Sequence, residues 1–294
     1  MTQTWRDPRL GSAATMELSM GPIRYYEAGQ GPTLVFVQGW MVNANHWRGV
    51  VGALADRFRC ITADWPTGSH ELALDPDADL SPPGCARQIA EFVEVLDLSD
   101  VTLVGNDSGG ALAQITAASH RARIGALVLT ACETPADVWP PLEFAVLTAE
   151  AVKPDGLIDL MAALADVAFR ADPVAYGLLA KYGIPVAVSD TYVQPFLEDA
   201  AIRHDTHKIM GGAHERHVRA AADTLVTAWD RPALLVWAED DPVFAAERGR
   251  AYAASLPGAR FELITDSFSF TPEDQPEQLA RLIAAFCDAR VAAP

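Results

Sequence analysis

Short apolar runs, each bounded by glycine, proline or aspartate, recur along this chain. Runs of this length are typical of buried strands, and they fall at residues 33–37, 59–63, 101–105, 126–131, 233–238 and 260–265. Helix-period stretches lie between them, at residues 83–96, 111–120, 244–256 and 278–289. The alternation predicts an α/β fold with a mostly parallel twisted sheet flanked by helices. Two further runs, residues 15–20 and 23–27, predict antiparallel strands at the sheet edge.

The alternation of strand and helix stops near Thr134 and resumes near Arg231. The residues between these points are rich in alanine and leucine and follow a helical pattern. They contain several prolines and no convincing strand. We therefore predict that residues 1–134 and 231–294 form the α/β core, and that residues 135–230 form an inserted helical cap.

Half of the 294 residues are hydrophobic, which is enough for a sizeable buried core. Lys and Arg total 22 against 39 Asp and Glu, a formal net charge of -17 at pH 7. A field of this sign repels polyanions, so we expect neither a nucleic-acid partner nor binding to an anionic membrane. The N-terminus lacks the apolar segment of a signal peptide, and we therefore expect a cytoplasmic protein. The oligomeric state is left open.

Candidate chemistry concentrates in the segment Val-Thr-Leu-Val-Gly-Asn-Asp-Ser-Gly-Gly, residues 101–110. A predicted strand here meets a predicted helix, and Gly105 and Gly109 flank Asp107. Small residues on both sides leave room for a sharp turn, and the central side chain projects over the end of the strand. An aspartate that only caps a helix needs no such glycines. The pattern therefore predicts a nucleophile elbow, with an ionised Asp107 at a helix N-terminus.

Other landmarks follow in a consistent order along the chain. A Gln-Gly-Trp motif at residues 38–40 follows one predicted strand, and a Glu-Asp-Asp-Pro motif at residues 239–242 follows another. Together with the elbow, these motifs resemble the α/β-hydrolase fold superfamily from about residue 15 to residue 286. The resemblance is closest to the branch of epoxide hydrolases and haloalkane dehalogenases, whose elbow also carries an aspartate.

The resemblance implies that Asp107 is the nucleophile and Asp241 the acid of a catalytic triad. It also implies that the backbone amides of Trp40 and Ser108 form the oxyanion hole. A carboxylate suits displacement at a saturated carbon, which gives a stable alkyl ester. Attack on an ester carbonyl would instead give a mixed anhydride, from which the carboxylate departs again. Epoxides and alkyl halides therefore suit Asp107 better than esters or amides.

The histidine of the triad is missing from its expected place. The resemblance implies a histidine after the last strand, but the final histidine of the chain is His217, and Ser269 occupies the expected position. Gln38 likewise replaces the histidine of the family's oxyanion turn. A serine hydroxyl does not accept a proton at neutral pH, so Asp241 with Ser269 is no substitute by itself.

Three interpretations remain open at this stage. In the first, another carboxylate acts as base: Asp241, or Glu133, which follows a strand where some dehalogenases carry their acid. In the second, Asp107 forms no covalent bond and moves protons in a ring opening, elimination, cyclisation or retro-aldol step. In the third, the site has lost catalysis and only binds a ligand.

Aromatic residues predict an apolar pocket for a small hydrophobic molecule. The pocket candidates are Gln38, Trp40, Trp65, Trp139, Phe144, Tyr176, Tyr182, Tyr192 and Ser269. The resemblance implies that a cap tyrosine donates a hydrogen bond to the oxygen that departs from an epoxide. Ser108 stands where dehalogenases carry a halide-binding tryptophan, which disfavours dehalogenation. Epoxide-type ring opening is therefore the leading hypothesis.

Metal and cofactor chemistry are not expected. His204 and His207 form one pair three residues apart, and His214 and His217 form another, but neither pair has further ligands nearby in sequence. The four cysteines are scattered, which favours buried thiols over a metal cage or a disulfide framework. We predict no metal site and no organic cofactor.

Overall fold

The computed structural model describes residues 4–151, 153 and 156–292. Its strands are β1 Ser12–Leu18, β2 Gly21–Ala28, β3 Thr33–Val37, β4 Arg59–Ala63, β5 Val101–Asn106, β6 Ile124–Thr130, β7 Ala233–Ala238 and β8 Arg260–Ile264. They form one sheet in the order β1-β2-β4-β3-β5-β6-β7-β8. The β1–β2 and β2–β4 pairs are antiparallel, and the pairs from β4 to β8 are parallel. The predicted strands and the antiparallel edge are confirmed.

The helices alternate with the strands in the core and follow one another in the region between β6 and β7. They are α1 Arg48–Leu54, α2 Pro82–Val95, α3 Ser108–Ser119, α4 Ala145–Ala151, α5 Gly156–Ala162, α6 Val186–Glu198, α7 Ala200–Gly212, α8 Glu215–Ala228, α9 Ala246–Ser255, α10 Thr271–Asp274 and α11 Pro276–Ala292. Helices α2, α3, α9 and α11 match the four predicted ones. None of the described helices is long and apolar enough to cross a membrane.

Helices cover both faces of the sheet because side chains alternate along each strand. In β3, Val35 and Val37 belong to one buried cluster, together with apolar residues of α2 and α3. Leu34 and Phe36 belong to a second cluster with apolar residues of α1 and α11. Strands buried on both faces explain the nearly continuous apolar runs in the sequence. The predicted α/β architecture, a mostly parallel sheet flanked by helices, is confirmed.

The elbow forms at the junction of β5 and α3. Asp107 has a φ of 53° and a ψ of -142°, a backbone conformation that few non-glycine residues adopt. A Cβ added at Gly109 would overlap the carbonyl oxygen of Val37, and one at Gly105 would lie 2.6 Å from the carbonyl oxygen of Gly109. Both glycines are therefore needed for the turn to close against β3. In the parallel register Val37 lies opposite Gly105, so the loops after these strands meet at the same edge.

A buried polar network supports the elbow from below. Asn106, which precedes the nucleophile candidate, donates from Nδ2 to the carbonyl oxygen of Ser269 at 2.8 Å. Its Oδ1 lies 2.8 Å from Nε2 of His46, and Nδ1 of that imidazole lies 3.6 Å from Oε1 of Glu273. Arg48 donates two hydrogen bonds of 2.7 Å to the same carboxylate. The network joins the elbow to the loop after β8 and to α10.

The Glu273 carboxylate makes the stability of the fold depend on pH. Burial alone would raise the pKa of Glu273, but the hydrogen bonds and charges of His46 and Arg48 lower it from 4.5 to about 2. A carboxylate whose pKa falls on folding stabilises the protein above its unfolded pKa, and this contribution is lost as the pH falls through the folded pKa. We expect Glu273→Gln to cost about 3 kcal/mol in urea unfolding at pH 7, because Arg48 loses its buried partner.

The difference in free energy of unfolding between wild type and Glu273→Gln should become smaller as the pH is lowered from about 4.5 toward 2. Glu27→Gln is the matched control, because Glu27 pairs with Arg59 at a partly exposed position. Such pairs contribute less than about 1 kcal/mol. Equal losses for the two variants at pH 7 would contradict the structural role of this network.

Candidate active site

A small cavity of about 60 Å³ lies at the carboxyl ends of β3 and β5. Asp107 and Ser108 of the elbow and Trp40 of the β3 loop line it, and the chain between β6 and β7 supplies most of the remaining wall. That part of the wall is largely apolar and includes Phe144 and Tyr176. One water needs roughly 10–15 Å³ of such space, so the cavity has room for only a few water-sized groups. A ligand that fits it is short and apolar.

The Asp107 carboxylate is buried in this cavity and still favours the ionised form through its partners. Its residue is 8% exposed. Burial raises the pKa of Asp107 to about 6, against hydrogen bonds from the backbone amides of Ser108 and Trp40 and the opposing charge of His46. These two amides are the predicted oxyanion-hole donors. In this structure they hold the nucleophile candidate itself, which presents an ionised oxygen to the cavity near neutral pH.

The Asp241 carboxylate lies at the end of β7, outside the cavity wall. Its Oδ1 accepts hydrogen bonds from the amides of Val243 and Phe244 at 2.9 and 3.0 Å, and from the Ser269 hydroxyl at 2.8 Å. Its Oδ2 is buried without a partner among the described residues. Burial raises the pKa of Asp241 to about 6, and the charge of Asp107 contributes in the same direction.

The Glu133 carboxyl group lies behind Ser108 and is wholly buried. The Ser108 Oγ lies 3.3 Å from Glu133 Oε1 and accepts a hydrogen bond of 3.1 Å from Nε1 of Trp139. The second oxygen of Glu133 has no partner in the part of the chain that the structure describes. Burial raises the pKa of Glu133 well above its usual range, and the charges of Asp107 and Asp137 raise it further. Burial therefore disfavours the charged form of Glu133, whose second oxygen lacks a donor among the described residues.

No imidazole takes the place of the missing triad histidine. Among the described residues, which include all seven histidines, none donates to or accepts from the carboxylates of Asp107 or Asp241. His46 is buried beneath the elbow, where its Nε2 is hydrogen-bonded to Asn106. His204 and His214 are exposed on the helices between β6 and β7. No group of three His, Cys, Asp or Glu side chains within residues 4–151, 153 and 156–292 can hold a metal ion.

Two predicted pocket residues, Trp65 and Gln38, do not line the cavity. Trp65 packs edge-on against Phe92 and donates its indole N–H to the carbonyl oxygen of Phe36, so it belongs to the core between sheet and helix. Gln38 is wholly buried and donates to the carbonyl oxygen of Ala63 at 2.8 Å. Both pocket predictions are therefore corrected to core positions.

The three tyrosines predicted to face the pocket, Tyr176, Tyr182 and Tyr192, also differ from expectation. Tyr176 lines the cavity, but its hydroxyl donates to the carbonyl oxygen of Met41 at 2.7 Å. Tyr192 is wholly buried away from the cavity and donates to Glu273 at 2.8 Å. Tyr182 is 64% exposed on the surface. None of these phenols is available as a free donor to an oxygen in the cavity.

Trp139 and Ser269 do not line the cavity but lie behind its wall. Trp139 contacts two wall residues from behind: it stacks on Trp40 with ring centroids 6.2 Å apart and donates to Ser108. Ser269 donates to Asp241, which also lies outside the wall. The pocket prediction for these two residues is corrected to a supporting position behind the wall.

Sequence reasoning missed the polar groups that the fold assembles from distant segments. The indole N–H of Trp40, which the sequence already offered as a single possible halide donor, is not among them; it is buried in a cavity residue with no partner in the described chain. Asn106 and His46 form the hydrogen bond that supports the elbow. The only sequence signal was a pair of polar residues, Asn106 and Asp107, interrupting an apolar strand-to-helix junction.

Comparisons with known proteins agree with this architecture. A family model described as alpha/beta hydrolase fold matches residues 32–165. Haloalkane dehalogenase 2 of Mycobacterium tuberculosis is 25% identical over 90% of this chain and 91% of its own length. A pimeloyl-(acyl-carrier protein) methyl ester esterase of Aeromonas hydrophila is 34% identical, over only 40% of this chain and 46% of its own.

Solved structures extend the likeness over nearly the whole chain. A haloalkane dehalogenase DbeA-M1 loop variant from Bradyrhizobium elkanii superposes with a TM-score of 0.77 at 18% identity, covering 96% of this chain and 99% of that chain. An alpha/beta hydrolase fold protein from Burkholderia ambifaria gives a TM-score of 0.76 at 21% identity, covering 92% and 97%. With the sheet order and the elbow, these matches show that this chain has the α/β-hydrolase fold.

Proposed function

We propose that this protein opens small apolar epoxides and hydrolyses the ester that results. The Asp107 carboxylate attacks a ring carbon, the carbon–oxygen bond of the epoxide breaks, and water then cleaves the alkyl ester to give a diol. The observation that carries the proposal is a buried carboxylate, held by two backbone amides, in the wall of a small apolar cavity.

The position of the amides suits both halves of this reaction. Before reaction they hold the Asp107 carboxylate ionised in spite of its burial. After alkylation the same two N–H groups, from Trp40 and Ser108, face the ester and stabilise the oxyanion that forms when water attacks it. No donor has to move between the two steps. This arrangement supports covalent catalysis over simple proton transfer.

The relatives support displacement at a saturated carbon. The haloalkane dehalogenase matches along nine-tenths of this chain, whereas the esterase matches along less than half of it. Dehalogenation of short alkyl halides is the second candidate, because the indole N–H of Trp40 is an unpartnered donor on the cavity wall. The oxygen of an epoxide accepts a proton when the ring opens. Ser108, which follows Asp107 in the sequence and lines the cavity, carries a hydroxyl that can supply this proton. This favours the epoxide.

The covalent step is tested by intact-protein mass spectrometry with 1,2-epoxybutane and 1-bromobutane. We expect wild type to gain the mass of one whole epoxide, as a hydroxybutyl ester, or of one butyl group from 1-bromobutane. A single turnover in oxygen-18 water should place the label in the protein, because water attacks the ester carbonyl. Asp107→Asn should form no adduct. Asp205→Asn is the control, because Asp205 is buried against His70 and lies off the cavity wall. Turnover without label in the protein would contradict a covalent cycle.

The rate of alkylation should increase with pH and then reach a plateau. A carboxylate attacks only when ionised, and the pKa of Asp107 is about 6. We expect the rate with 1-bromobutane to rise about tenfold per pH unit below 6 and to level off above it. The titratable groups that face this carboxylate are His46, Glu133 and Asp241. A rate that stays constant from pH 5 to pH 8 would show that Asp107 is not the attacking group.

Gly39 is expected to control the position of the nucleophile. A Cβ at Gly39 would overlap the carboxylate oxygen Oδ2 of Asp107. Gly39→Ala should therefore push the carboxylate off its two amides and slow alkylation by on the order of 10²-fold, the size of a lost oxyanion-type donor. Gly211→Ala is the control, since a Cβ there would lie 3.9 Å from its nearest neighbour. Equal alkylation rates for the two variants would contradict this placement.

A further inference from the structure

Three side chains form a hydrogen-bonded row from the cavity wall into the core. Trp139 Nε1 donates to Ser108 Oγ at 3.1 Å, and Ser108 Oγ lies 3.3 Å from Glu133 Oε1. Ser108 is the next residue after Asp107, and both line the cavity. Glu133 is wholly buried and reaches the cavity only through the Ser108 hydroxyl. The row therefore connects a buried carboxyl group to the space beside the nucleophile.

The direction of the proton along this row follows from the two neighbouring carboxyl groups. Two buried carboxyls in one site do not both ionise, because each charge raises the pKa of the other. Asp107 has two amide donors, whereas Glu133 Oε2 has no partner among the described residues. Glu133 is thus the group that keeps the proton. Toward an ionised Glu133 the Ser108 hydroxyl is the donor. When Glu133 carries a proton, its O–H and the Trp139 indole N–H both donate to Ser108 Oγ, and the Ser108 hydrogen is then free to turn to the cavity.

We propose that Glu133 and Ser108 form a proton relay that serves as acid in ring opening and as base in ester hydrolysis, in place of the missing histidine. The proposal rests on the proposed function and adds the groups that move protons in it. Trp139 is a positioning residue, since its N–H occupies one lone pair of Ser108 Oγ and leaves the hydroxyl hydrogen free for the cavity.

In the first half-reaction, a carboxylate oxygen of Asp107 forms a bond to a ring carbon and the carbon–oxygen bond of the epoxide breaks. The departing oxygen takes the hydroxyl hydrogen of Ser108, and Ser108 takes the proton of Glu133. Asp107 becomes a neutral ester as Glu133 becomes a carboxylate. The pair of Asp107 and Glu133 carries one negative charge before and after the step, so the step adds no charge to the pair.

In the second half-reaction, water adds to the ester carbonyl of Asp107. Its proton passes through Ser108 to the Glu133 carboxylate, and the amides of Trp40 and Ser108 hold the resulting oxyanion. The tetrahedral intermediate then expels the alcohol oxygen, which takes the remaining hydroxyl proton. Asp107 returns as a carboxylate, Glu133 is again protonated, and the sum of both steps is epoxide plus water to diol.

Asp241 is the competing base, and its surroundings argue against it. Its Oδ1 already accepts three hydrogen bonds, from Val243, Phe244 and Ser269. Neither Asp241 nor Ser269 lines the cavity, and no described side chain links Asp241 to the cavity in the way that Ser108 links Glu133. Glu133 therefore has the shorter path to the substrate.

The relay is tested by comparing two leaving groups. A departing epoxide oxygen needs a proton, whereas bromide does not. We expect Glu133→Gln and Ser108→Ala each to slow adduct formation with 1,2-epoxybutane by on the order of 10²–10⁴-fold, the usual contribution of a general acid. Adduct formation with 1-bromobutane should change by less than about threefold, which also shows that each variant is folded; Ser108→Ala keeps its backbone amide. The double variant should be no slower than either single variant.

The hydrolysis step is followed after alkylation with 1-bromobutane, as loss of the butyl mass. Bromide leaves without a proton, so in this reaction Glu133 first releases its proton to solvent once Asp107 is a neutral ester and no longer raises the pKa of Glu133. The ester should decay in wild type and in Asp241→Asn, and persist in Glu133→Gln and Ser108→Ala. If Glu133→Gln slows both alkylating probes equally, its role is structural and the relay is wrong. If the ester persists only in Asp241→Asn, Asp241 is the base. If wild type forms no adduct with either probe, the proposed function fails, and the relay with it.

Discussion

The carboxyl groups of Asp107 and Glu133 are buried close together, and each disfavours a negative charge on the other. Asp107 holds the charge because the amides of Trp40 and Ser108 replace the water that burial removes. Glu133 Oε2 has no partner among the described residues, and burial and the charge of Asp107 raise the pKa of Glu133, which favours its neutral form. In the proposed reaction, this division supplies a nucleophile and an acid from the same residue type. Unequal surroundings, rather than residue chemistry, separate their tasks.

The sheet assembles the site by ending neighbouring parallel strands at a common edge. The loops after β3, β5, β6 and β7 deliver Trp40, Asp107, Glu133 and Asp241 to that edge. The glycines of the elbow let the nucleophile approach the β3 loop closely. The region between β6 and β7 then closes the cavity with apolar side chains and restricts it to short ligands. The site thus depends on strand order more than on any local motif.

Local periodicity was sufficient for the strands, the core helices and the elbow, because each is determined by residues close together in sequence. Orientation of the aromatic side chains was not predictable in this way. Trp65 and Tyr192 face the core because their polar atoms bind Phe36 and Glu273, which are remote in sequence. The Trp139–Ser108–Glu133 row was equally hidden, since its members meet only after β5 and β6 pair. In both cases, partners that are remote in sequence determine where the side chains lie.

The division of charge between the two carboxyl groups is the central claim, and infrared difference spectroscopy tests it directly. The spectrum of wild type minus Glu133→Gln at pH 7 should contain the carbonyl band of a protonated carboxyl group. The spectrum of wild type minus Asp107→Asn should contain the bands of an ionised carboxylate. The reverse assignment, with the protonated band lost in Asp107→Asn, would contradict the account, because the nucleophile would then be neutral.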